Sequence, residues 1–189
     1  MGENENLCYE FTLDEARRRG DSKAIALLER IGAPENGLYQ GDWMNVLAQR
    51  KYLKKYGGFL RGTSILDMQI GSYLKTTEYR GFSVFSYFKA SQYCLRILWP
   101  KMANVDLSRD AAEFGTPVYL FLGRYDWNTP SSLATDWLSG ISAPVKGILW
   151  FEESAHCPAF EEPEKFMAAM AWISRNEGLS EQGKDTTIA

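Results

Sequence analysis

The sequence predicts an α/β fold in which a helical first half leads into a β-α-β-α segment of a parallel sheet. Three observations carry this. Apolar residues before Asp110 recur at helical spacing, and after it two short runs are apolar at every position. Between those runs lies a helix-length amphipathic stretch, so the strands must pair in parallel through a right-handed crossover. The composition of the 189 residues, 45% hydrophobic and 24% charged, is that of a globular chain with a sizeable core rather than a disordered one.

Thr12-Leu13-Asp14-Glu15 reads as a capping box opening the first helix. After a break at Gly20, Ala24, Leu27, Leu28 and Ile31 fall at i, i+3, i+4 and i+7, and Gly32 ends that helix. In the next helix Asp42 is a candidate cap, Trp43, Val46 and Leu47 share a face, and Gly57-Gly58 stops the chain. A less regular segment covers Ser64 to Leu74. A long helix then runs from about Gly81 to Trp99, with Phe88, Leu95, Leu98 and Trp99 on one side and Pro100 as its terminator.

Pro117 to Leu122 is apolar throughout, as suits a strand covered on both faces, and Gly123 turns the chain. Thr129-Pro130 reads as a cap followed by proline at the first helical position. Leu133, Ala134, Trp137, Leu138 and Ile141 line the crossover helix. Residues 146–151 form the second strand. Glu162-Pro163 repeats the cap-proline signal before a final helix whose buried stripe is Phe166, Met167, Met170 and Ile173 and which frays near Gly178. The expected divisions are a helical region over residues 1–112, an α/β part over 113–178 and a polar tail over 179–189. Two strands cannot cover both faces of a parallel sheet, so neighbouring strands from outside this sequence are expected.

The net charge is −3, split as 16 Lys/Arg against 13 Asp/Glu in residues 1–112 and 5 against 11 in 113–189. Basic residues such as Arg17-Arg18-Arg19 and Lys54-Lys55 fall on helix surfaces, and nucleic acid is not an expected partner. No apolar run approaches the roughly 20 residues of a membrane span. The first six residues carry acidic rather than basic side chains, unlike a signal peptide, and a cytoplasmic location is expected. Cys8, Cys94 and Cys157 are odd in number and far apart, which suggests reduced thiols and no structural metal, and no cofactor is expected.

In open α/β sheets the working groups sit in loops at the carboxyl ends of the strands. Gly123-Arg124-Tyr125-Asp126 follows the first strand; Glu152-Glu153-Ser154-Ala155-His156, with the chain's single histidine, follows the second. A carboxylate facing imidazole Nδ1 fixes the tautomer and stabilises the imidazolium, so Asp126 and His156 are the candidate orienting and proton-shuttling residues. A catalytic thiol at Cys157 is disfavoured, because side chains adjacent in sequence seldom face each other productively.

The ordered run Thr116 to Asp126, Thr129-Pro130, Ser154-Ala155-His156-Cys157-Pro158 and Glu161-Glu162-Pro163-Glu164-Lys165-Phe166 resembles the carboxyl-terminal catalytic segment of α/β-hydrolases, in the proline iminopeptidase-like branch. The resemblance covers roughly residues 113–175, and the helical half resembles the cap inserted in such enzymes. It implies a Ser-Asp-His triad with Asp126 as acid and His156 as base. The family's nucleophile elbow, Gly-x-Ser-x-Gly, is absent: Gly62-Thr63-Ser64-Ile65-Leu66 and Gly81-Phe82-Ser83-Val84-Phe85 lack the final glycine. About 100 further residues would be needed to supply the elbow and oxyanion loop. The expected function is thus the carboxyl-terminal portion of a serine hydrolase acting on an amide or ester, inactive alone. An aspartate nucleophile would instead mean epoxide or carbon–halogen hydrolysis, and loss of the nucleophile half would leave a non-catalytic binding module. Expected partners are a small-molecule or short-peptide substrate, and either the missing amino-terminal half or a second copy at the sheet edge. By the same resemblance Glu10, Asp14, Glu15 and Glu78 are candidates for binding a substrate amino terminus. Tyr79 to Phe88 is more readily helix core than an acyl pocket.

Overall fold

A buried stripe that is partly polar builds the amino-terminal helix. The computed structural model describes residues 2–41, 44–62, 84–102 and 105–176. Helix α1 spans Gly2–Arg18, with Glu5, Cys8, Tyr9, Thr12 and Ala16 buried at helical spacing. The expected capping box therefore lies inside a helix. Thr12 Oγ1 donates to the carbonyl of Cys8 at 2.7 Å instead of capping a terminus. The apolar period gave no sign of the first two turns, because the core-facing position in the first turn is the polar Glu5.

The chain divides into two compact units, Met1–Tyr52 with Gly62–Val105 and Leu53–Arg61 with Asp106–Ala189. In the first unit α1 is followed by α2, Ser22–Ile31, whose cap Asp21 accepts from the Ala24 N–H and which ends at Gly32 with φ +71°. Ala24, Leu28 and Ile31 are buried, and the Tyr9 hydroxyl donates to the Leu28 carbonyl at 3.0 Å. Helix α3, Met44–Lys55, begins in the first unit, where Val46 and Gln49 are buried while Leu47 is 39% exposed rather than sharing the buried face; its last residues, from the buried Leu53, belong to the second unit. Gln49 Nε2 donates to the Cys8 carbonyl and to Thr12 Oγ1, and Arg50 Nη2 donates to the fully buried Glu5 at 2.7 Å. These bonds explain why polar residues hold core positions: Thr12 and Gln49 are hydrogen-bonded and Glu5 is paired through Oε1, whereas an unpartnered buried charge would cost several kcal/mol.

Helix α4, Val84–Met102, carries Pro100 within its last turn, so the proline does not end it. A proline there removes one intrahelical hydrogen bond but need not stop the turn. Leu98 is 50% exposed, which removes it from the expected buried stripe. The expected cap Asp42, its neighbour Trp43, the segment Ser64 to Leu74, Glu78, Ser83 and the fraying near Gly178 lie outside the described residues, as do the side chains of Phe88 and Trp99. Among the described residues no helix is long and apolar enough to cross a membrane.

In the second unit α5, Leu107–Asp110, precedes β1, Val118–Gly123; α6, Ser131–Gly140, leads to β2, Lys146–Phe151; α7, Pro158–Glu161, and α8, Pro163–Asn176, follow. The strands pair in parallel, with Val118 opposite Lys146 and Gly123 opposite Phe151, as the crossover requires. Register brings both strand ends to one edge. On one face Phe121 meets Phe151 and Phe166 of α8 at 5.7 and 5.2 Å between ring centres. Leu138 and Ile141 of the crossover segment are buried, and Leu133, Ala134 and Trp137 are half-buried. Contrary to the expectation of strands covered on both faces, Val118 to Leu122 are only half-buried. The two-stranded sheet has no neighbouring strands to complete the cover among the described residues. Met167 and Met170, expected in the stripe of α8, are 65% and 46% exposed. Thr129 does not cap α6: Pro130 stands at the cap position, and the threonine is engaged elsewhere.

Candidate active site

Two loops meet where β1 and β2 end. Gly123, the last residue of β1, has no space for a side chain: a Cβ there would lie 1.9 Å from the Ala155 carbonyl oxygen and 2.6 Å from that of Ser154. Only glycine lets the two loops approach so closely. The Arg124 N–H then donates to the Phe151 carbonyl and the Tyr125 N–H to that of Ser154, each at 3.0 Å, which extends the pairing one step past the sheet.

Asp126 is held before it meets the imidazole. Its Oδ1 accepts the N–H groups of Asn128 and Thr129, both at 2.9 Å, and its Oδ2 accepts the Thr129 hydroxyl at 2.8 Å. Such a turn is what Asp favours when backbone donors follow it two and three residues on. Oδ2 also lies 3.0 Å from His156 Nδ1, and Thr129 Oγ1 lies 3.1 Å from the same nitrogen. The side chains are 10% and 32% exposed respectively, so the carboxylate is largely shielded while the ring reaches solvent. With a carboxylate at Nδ1, the neutral ring carries its proton there, and the Nε2 lone pair is left for proton transfer.

His156 is fixed by its main chain and by its face. Its N–H donates to the Phe59 carbonyl at 3.1 Å, and the Phe59 ring stacks on the imidazole with centres 5.5 Å apart and planes 29° from parallel. Residues 57–61 leave α3 through Gly57, whose φ of +79° ends the helix where the glycine pair predicted it. Arg61 lays its guanidinium 3.7 Å over the Tyr125 ring. Glu162 Oε2 accepts the Glu153 N–H at 3.1 Å and the buried Ser154 hydroxyl at 2.6 Å. Glu161 binds the loop at Ala155 and Cys157. Burial, and then the negative charges of Glu161 and Asp126, push the Cys157 thiol up from its ordinary value, the opposite of what an activated nucleophile needs.

Asp126 and His156, singled out by strand-end logic, are thus brought together. Phe59, Thr129 and the loop-binding role of Glu161 and Glu162 were not legible. Glu161 stands four residues after the cap Cys157 rather than the three of a capping box, and nothing in the spacing points to Phe59. The acidic candidates of α1 stand differently: Glu10 is exposed, Asp14 lies 4.0 Å from Arg17, and Glu15 is occupied by Arg18 and Arg19 at 2.8 Å. Among the described residues no cluster of His, Cys, Asp and Glu could hold a metal ion.

Comparison with known proteins gives a partial match. The chain is 39% identical over 70 residues to the AB hydrolase superfamily protein YclE of Bacillus subtilis (strain 168), a stretch covering 36% of this chain. The relationship supported is to the α/β-hydrolase superfamily. The matched stretch spans only 25% of the length of that relative. No family model matches the chain, and no solved structure matches it significantly. An α/β-hydrolase relationship accords with helices joined to a small parallel sheet.

Proposed function

We propose that this chain supplies the acid and the base of an α/β-hydrolase active site that cleaves an amide or ester through an acyl-serine intermediate. The observation that carries the reading is the 3.0 Å contact between Asp126 Oδ2 and His156 Nδ1 at the carboxyl ends of adjacent parallel strands. His156 Nε2 takes the proton of a serine hydroxyl as that oxygen bonds to the carbonyl carbon, and returns it to the departing amine or alcohol. Water then repeats the exchange to release the acid. Asp126 keeps the ring in the Nδ1–H tautomer and stabilises the imidazolium formed in each half-reaction. The serine and the oxyanion donors come from outside these 189 residues, which contain no Gly-x-Ser-x-Gly. The resemblance of residues 113–175 favours a proline iminopeptidase-like enzyme acting on a short peptide's amino-terminal residue.

The test is a chimera in which residues 113–176 replace the corresponding segment of the Bacillus subtilis relative, assayed on p-nitrophenyl esters and aminoacyl p-nitroanilides. Hydrolysis that falls by about 10³ or more in H156A, with native circular dichroism retained, is expected. Hydrolysis indifferent to H156A would overturn the proposal.

A further inference from the structure

We propose that Glu161 is the positioning residue that keeps His156 aligned with Asp126, a role that deepens, and rests on, the acid–base reading of that pair. Its carboxylate binds main chain on both sides of the histidine. Oε2 accepts the Ala155 N–H at 3.1 Å and the Cys157 N–H at 2.8 Å, and Oε1 accepts the Ala155 N–H at 3.2 Å. Oε1 also accepts the N–H of Arg61. That last donor ties in a third piece of chain, the segment whose Phe59 accepts the His156 N–H and stacks on its ring.

One carboxylate therefore holds the N–H of the residue before the histidine, that of the residue after it, and the segment that carries its stacking partner. The sequence makes this possible through α7. Pro158 starts a single turn after Cys157, and the Glu161 N–H returns to the Cys157 carbonyl at 3.0 Å, so the Glu161 side chain is brought back beneath residues 155–157. Bonds from backbone N–H groups to a carboxylate are short and roughly twice as strong as neutral ones, and here the donors are rigid main chain rather than flexible side chains. Glu162 acts one step further back, on Glu153 and Ser154, and touches neither neighbour of His156.

The chain's single histidine makes its ring signals unambiguous in nitrogen-15 NMR of the full chain. In the parent, D126N should change the Nδ1/Nε2 shift pattern and speed exchange of the Nδ1 proton. In E161A, read at a temperature where circular dichroism remains native, that exchange should already be faster by about tenfold or more, and adding D126N should change little further. A merely structural role would lower the melting temperature and leave the response to D126N intact. If E161A does not fold, E161Q, with one acceptor oxygen in place of two, should give an intermediate acceleration, and E162Q a smaller one. Parent-like exchange and a parent-like response to D126N in E161A, or parent-like exchange in folded E161Q, would overturn the role of Glu161 while leaving the pair standing. No response to D126N in the parent would overturn the pair itself, and this role with it.

Discussion

Replacing Gly123 with alanine should do more damage than its single methyl group suggests. The new Cβ would meet backbone, with the Ala155 carbonyl oxygen at 1.9 Å, the Ser154 oxygen at 2.6 Å and the Ala155 carbonyl carbon at 2.8 Å. To restore even a tight 3.0 Å contact, the loop must retreat by about 1.1 Å. Hydrogen bonds of this type tolerate only a few tenths of an ångström, so the Tyr125 N–H to Ser154 bond and the Asp126–His156 contact, both 3.0 Å, would stretch beyond useful length. Overpacking costs about 1–3 kcal/mol, and losing a charge-assisted bond adds about 1.5 kcal/mol or more, so a loss of at least about 2.5 kcal/mol is expected in urea denaturation. Gly140, at the end of α6, is the control. A Cβ there meets nothing within 4 Å, so G140A should be neutral or gain up to about 1 kcal/mol from helix propensity. A G123A variant within about 0.5 kcal/mol of the parent would refute the close approach of the two loops.

Three further outcomes are expected. Arg50→Ala leaves Glu5, which is 1% exposed, without its cation, and should cost about 3–5 kcal/mol by chemical denaturation. Glu15, bonded first by Arg18 and also by Arg19, titrates at about 2 in the folded chain rather than its ordinary 4.5. A lowered carboxylate value gives stability above the unfolded value that is lost as pH falls, so Glu15→Gln should cost about 0.5–1 kcal/mol at pH 7. That difference should shrink from about pH 4.5 and be largely gone near pH 2, followed by thermal melts across that range. Iodoacetamide at pH 8 should modify exposed Cys94 well before half-buried Cys157, as peptide mapping by mass spectrometry would show.

The parts legible in the sequence are those governed by local rules. Two all-apolar runs joined by an amphipathic stretch gave the parallel strands and crossover, because that pattern has few other solutions, and the same reading set Asp126 and His156 at neighbouring strand ends. Glycines at 20, 32 and 57 marked helix ends correctly, since each takes a positive φ. What escaped was decided by tertiary partners. The first turns of α1 were hidden because Glu5 is buried against Arg50, a residue 45 positions away. Phe59 reaches His156 across nearly 100 residues, and no periodicity reports such a contact. Met167 and Met170 followed the helical period inward but found no neighbour to cover them among the described residues. Thr129 looked like a cap by its place before Pro130, yet its hydroxyl serves Asp126 and faces His156.

If Asp126 and His156 work as one unit, as proposed, a double-mutant cycle will show it. In the chimera carrying residues 113–176, kcat/KM for a p-nitrophenyl ester would be compared among the parent, D126N, H156A and D126N/H156A. Residues that act as one catalytic unit are strongly non-additive, so under the proposed function the double variant should be about as slow as H156A alone, with D126N itself down by a factor on the order of 10³ to 10⁴. Losses that simply multiply, or a D126N variant within about threefold of the parent, would contradict the account.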